Sequence, residues 1–176
     1  MAVESEERNN GVKFITRTAI LLALTLAVQW LRLPTMFTGP LVNFMLIIST
    51  SLLGNWGGAL IGLFTPWIAL LVGIIPAPLA PAIPFIMLGN TVYCLIFGIG
   101  FRYMRWGGWA GLVVGALLKF SIIAGAARYL LALPSPVTEV LLFPQLVNAI
   151  IGGIPAVICA LYLLNKIEIK GSRGPE

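Results

Sequence analysis

The chain has 176 residues, 59% of them hydrophobic and 10% charged, with a mean hydropathy of +1.00. No soluble domain of this size presents such a surface to water, so the composition specifies an integral membrane protein and excludes a soluble catalytic domain. The net charge of +5 does not point to nucleic acid, because the basic residues stand beside apolar spans, where membrane topology accounts for them.

Residues 1–12 open with the polar stretch MAVESEERNN, and the apolar run behind it is long and lacks a small-residue cleavage site. They read as a retained cytoplasmic tail rather than a signal peptide. About 20 apolar residues make one helical span. Breaking the chain at its proline, glycine and charge clusters gives segments near 14–33, 41–54, 57–75, 83–101, 108–132 and 140–164. The expectation is an all-α bundle of six transmembrane helices over 13–165, one domain, with a second polar tail over 166–176. The second segment is short, and Leu53-Gly54-Asn55-Trp56-Gly57 is either a tight turn between two spans or a kink in one longer helix, which leaves five spans as the alternative.

The first span carries Ala19, Ala23 and Ala27 at every fourth position, just after Lys13 and Arg17. Each step of four drifts about 40° around a helix and eight residues rise about 12 Å, so the alanines form a smooth strip. Such a strip packs either against a neighbouring helix of the same chain or against a partner. The glycine ridges Gly58/Gly62 and Gly107/Gly111/Gly115 are expected to pack helices within the protein.

With six spans both termini share a side. That side holds Arg8, Lys13, Arg17, Arg102, Arg105, Lys166, Lys170 and Arg173, against Arg32 and Arg128 on the other, which places the termini in the cytoplasm. The outer connections are then LPTMFTGP (33–40), IPAPLAP (75–81) and LPSPVTE (133–139), whose prolines predict stiff, shaped caps. Trp56 and Trp106, in NWGG and RWGG, suit a membrane interface.

Polar residues inside spans are costly and therefore informative. Counted from the outer ends, Gln145 lies about 8 Å deep, Asn90 about 10 Å, and Trp67 and Asn148 about 12 Å, which is one layer. Lys119 lies about 18 Å deep, but its flexible stem can lift the ammonium towards that layer. It contacts either a ligand or helix carbonyls freed by Pro66 or Pro155. Gln145 and Asn148 share a helical face as a convergent amide pair or as interhelical glue. Trp67, Phe85, Tyr93 and Tyr129 are candidates to stack on a ring or to pack against lipid and core. The candidate substrate-binding set is Trp67, Asn90, Tyr93, Lys119, Gln145 and Asn148. Arg128 and Glu139, near the outer ends of spans five and six, suit an ion pair across the intervening loop, with an outer gate as the alternative; Lys119 and Arg128, with little acid nearby, lean towards a ligand carrying a carboxylate or other acceptor-rich group.

No histidine occurs, Cys94 and Cys159 stand alone as structural thiols, and no GxxxxGK[ST] loop is present, so neither a metal or other cofactor nor ATP is expected to bind this chain. Glu139 is the only carboxylate between residues 8 and 167, which argues against an enzyme and against a proton relay.

The alanine strip, the six spans, the chain length, and the stretches TGPLVNFMLI (38–47), APAIPFIMLGN (80–90) and QLVNAIIGGIPAVICALYLL (145–164) together resemble the substrate-binding S component of energy-coupling factor (ECF) transporters. The resemblance implies a vitamin or micronutrient importer in a prokaryotic cell membrane. It further implies that Ala19 and Ala23, extended by Ala27, meet a transmembrane T component carrying two cytoplasmic ATPases, and that the S component topples in the bilayer to deliver substrate. Two other classes stay open on residues alone: an autonomous secondary transporter or channel, and a non-catalytic scaffold subunit.

Overall fold

The computed structural model describes residues 2–104 and 106–172, with side-chain environments over 8–163 apart from Thr35 and Arg105. Arg105 and Arg173, counted in the basic asymmetry, and the tail end 173–176 lie outside the described residues, as do the side chains of Lys166 and Lys170. The described chain is helical throughout: α1 (Ala2–Trp30), α2 (Thr35–Leu71), a 3-10 segment (Ala77–Ala82), α3 (Ile83–Tyr103), α4 (Gly107–Tyr129), α5 (Ser135–Val140) and α6 (Phe143–Ser172). Among the described residues, five helical segments are long and apolar enough to cross a membrane.

The expected second and third spans share one helix, α2, of 37 residues. A straight helix of that length would reach about 55 Å, far beyond a hydrocarbon core of about 30 Å. It is not straight. Gly54 alone inside it leaves helical geometry, at φ 83° and ψ −179°, a region essentially confined to glycine. Gly58 then packs directly on Thr50, although eight residues of continuous helix would separate them by about 12 Å. The chain therefore turns back at Gly54, and the Arg102 guanidinium lies over the turn.

The proline-rich connections are shaped as expected. Pro34, Pro76 and Pro134 each adopt an extended backbone and accept the first N–H of the following helical turn: Phe37 at 2.8 Å, Leu79 at 3.0 Å and Val137 at 2.9 Å. Proline's fixed φ presets these starts. The last predicted span is redrawn by the third of them, because α5 is a separate cap and the long helix begins at Phe143.

The core is built by close approach as much as by bulk. Leu46, Ile47, Ile61, Phe97, Leu112 and Val157 are fully buried around Tyr93. On α4, Gly107, Gly111 and Gly115 lie against Gly100, Phe97 and Tyr93 of α3, and Gly62 lies against the Asn90 backbone, so these ridges pack helices inside the chain. A second cluster, Ala82, Ile123, Ala127 and Leu141, seats the 3-10 segment and α5 on the bundle. Trp56 and Trp106 are exposed at the opposite end.

Helix α1 is the least enclosed. It rests mainly on α2, through a side that includes Leu21, Leu22 and the buried Thr25 and Gln29. Ala19, Ala23 and Ala27 lie about 80–160° around the helix from Gln29, on the other side, and all three are exposed. Among the described residues, the alanine strip is thus not a contact between helices of this chain.

Candidate functional site

A cavity of about 390 Å³ opens beneath the proline caps. Both arms of α2 reach it, through Gly39, Val42 and Asn43 on one and Thr65 and Pro66 on the other, and the remaining walls come from the end of α1, α3, α4, α6 and the connections. Its apolar lining is aliphatic: Leu33, Val42, Ile74, Ile75, Leu79, Ile86, Val140 and Leu141, without an aromatic ring.

Polar groups converge on this space. Lys119 is only 2% exposed. Its ammonium donates to Asn43 Oδ1 at 2.6 Å and stands 5.3 Å from the centre of the Tyr93 ring. Asn43 is oriented for this by donating its own amide to the Gly39 carbonyl at 2.8 Å. Gly89 has no side chain where the Lys119 stem and Ile123 pass, and Gly39 has none where the Asn148 amide lies. An ammonium has three donors. Asn90 is 3% exposed, and its Oδ1 has no hydrogen-bond partner. Gln145 and Asn148, one helical turn apart on α6, complete the far wall.

Arg32 lies at the mouth, in the four-residue connection after α1. Its φ of +49° is in the left-handed region that costs a non-glycine residue about 1–3 kcal/mol, and its guanidinium stands 5.8 Å from the Trp30 ring. Among the described residues, Lys119 and Arg32 are the charged members of the lining, and no carboxylate lines it.

Four of the six predicted residues, Asn90, Lys119, Gln145 and Asn148, meet in this cavity. The other two do not line it. Trp67 has the right depth but the wrong face: Thr65 and Pro66 turn inward, while Trp67 is 46% exposed and tilts against Phe64. Tyr93 is fully buried below the cavity, where its hydroxyl donates to the Ala149 carbonyl at 2.9 Å. Its ring supports Lys119 from beneath. Phe85 and Tyr129 are also absent from the lining, and Arg128 borders a separate recess with Phe120, Tyr129 and Phe143. The second cation of the cavity lining is Arg32, not Arg128. Lys119 bonds a side chain, Asn43; the carbonyls near Pro66 or Pro155 were the alternative to a ligand.

Sequence reasoning passed over Gln29, Arg32, Asn43 and Thr65. Asn43 had a usable signal, an amide inside the apolar run PLVNFML. Among the described residues, no group of three or more His, Cys, Asp or Glu side chains could hold a metal ion.

The sequence model of the family described as "ECF transporter, substrate-specific component" matches residues 13–164. Neither a curated protein nor a solved structure matches the chain.

Proposed function

The chain belongs to the substrate-specific components of ECF transporters, and from that membership we propose that it captures a vitamin or related small molecule for an ATP-driven importer. Members of this family are membrane-embedded, substrate-binding and non-catalytic. Hydrolysis of ATP then falls to two cytoplasmic ATPases carried by a transmembrane T component. The observation that carries the capture role is the capped cavity in which buried Lys119, Asn43 and Asn90 meet. Substrate contacts are assigned to Asn90, Lys119, Gln145 and Asn148, with Asn43 and Arg32 added.

We place the T component on Ala19, Ala23 and Ala27. Their common exposure on the side of α1 away from Thr25 and Gln29 supports a docking face. Six membrane crossings over 13–165 follow if α2 counts as two, for which the Gly54 turn and the Thr50–Gly58 contact are the support. The termini then face the cytoplasm of a prokaryotic cell, by the predominance of basic residues at that end. The cavity opens outward beneath the proline caps.

The test is native mass spectrometry of the chain purified alone in mild detergent. The expected result is one small organic molecule per chain, released on unfolding. A consistently empty chain, unresponsive to vitamins in thermal-shift titrations, would contradict the capture role.

A further inference from the structure

We infer that the ligand is an aliphatic acid bearing a hydroxyl or amide N–H, seated with its carboxylate on Lys119, rather than a flat aromatic heterocycle. The inference rests on the capture reading above and narrows it to a chemical class.

Charge sets the first requirement. Lys119 and Arg32 face the cavity without a carboxylate among its lining residues. Within the membrane an ammonium at helix-centre depth is costly unless it is paired. Asn43 offers Lys119 an uncharged acceptor, and the Tyr93 ring offers its face. Neither neutralises the charge. A carboxylate arriving at Lys119 supplies the missing anion and takes donors that Asn43 does not use. Arg32, at the mouth, attracts the same anion on entry.

Hydrogen bonding sets the second requirement. Gln145 and Asn148 line the cavity, and their side-chain oxygens accept hydrogen bonds. A carboxylate cannot pair with those oxygens, because it only accepts. A ligand that also brings an O–H or N–H meets them. The Gln145 and Asn148 amides can each donate or accept, which suits a second hydroxyl or amide further along the molecule.

Shape sets the third. Flat ring systems are usually held by aromatic stacking, and the apolar part of this lining is aliphatic. Trp67 and Tyr93, the nearest rings expected to serve, are turned outward and engaged in the core respectively. A volume of about 390 Å³ is near the small end of ligand pockets. A branched, saturated molecule fits such walls better than an extended plane.

The experiment titrates the full-length protein in detergent with matched probes, reading thermal stabilisation and affinity. The pairs are pantothenate with panthenol and N-acetyl-β-alanine with its primary amide; riboflavin and thiamine represent flat rings. At least one acid is expected to bind, about tenfold or more tighter than its neutral partner, and the ring compounds are expected not to stabilise. Lys119→Met should reduce the acid-to-neutral preference to near unity. Neutral partners binding as well as the acids, preferential binding of riboflavin or thiamine, or failure of both acids to bind would each overturn the inference. The wild-type acid-to-neutral ratio stands independently of how the variant folds. Ring binding would overturn the ligand class and leave substrate capture intact, whereas no binding by any probe, with no molecule released from the purified chain, would remove both.

Discussion

Replacing Lys119 by methionine should weaken binding of the molecule retained by the wild-type chain at least about 30-fold, the equivalent of roughly 2 kcal/mol or more. Methionine preserves the length of the stem that runs past Gly89 and removes only the ammonium. Truncating one partner of a buried charge pair leaves the other unpaired, and here the stranded partner is the ligand's anion. The ligand-free protein should meanwhile be no less stable, because the variant no longer carries a charge that costs roughly 2.5–3.5 kcal/mol at that depth. Asn43 Oδ1 loses its donor at 2.6 Å, which partly offsets that gain. Titration calorimetry with thermal unfolding separates the two effects. Unchanged affinity would make Lys119 a structural lysine served by Asn43 and Tyr93 alone.

The second large effect is expected on assembly. Ala23→Leu, alone or with Ala19→Leu, should reduce association with the T component about tenfold or more, in line with overpacking penalties of about 1–3 kcal/mol. Ligand affinity should be unchanged. The separation follows from position: Ala19 and Ala23 are exposed, whereas the residues of α1 that face the cavity or α2 lie on its other side. Leucine on a lipid-facing helix surface is well tolerated, so a folding defect does not compete as an explanation. Co-purification of the complex, read beside ligand titration of the isolated variant, measures both. Parallel loss of assembly and ligand binding would make the strip a folding element instead.

Much of this arrangement was legible in the sequence where one residue's chemistry suffices. Pro34, Pro76 and Pro134 marked the caps, and the glycine ridges marked close helix packing within the chain. Gly54 was recognised as either turn or kink; deciding between them required seeing Gly58 against Thr50. Depth along a helix was likewise readable: it brought Trp67, Asn90, Gln145 and Asn148 into one layer, with Lys119 deeper and its stem able to reach up to it. Direction around the helix was not. Trp67 and Thr65 are only two residues apart, yet one is exposed and the other lines the cavity. The partner of Lys119 lies 76 positions away, at Asn43, and no periodicity predicts a pairing of that range. Arg32 was read only as an outer charge because its role depends on a left-handed backbone in a short connection.

The most direct test of the account is uptake of the retained molecule into vesicles reconstituted with this chain, a T component and two ATPases. The account predicts accumulation only when all components and ATP are present, with loss of uptake when the T component is omitted. Equal uptake by vesicles containing this chain alone, without ATP, would contradict it and identify an autonomous transporter.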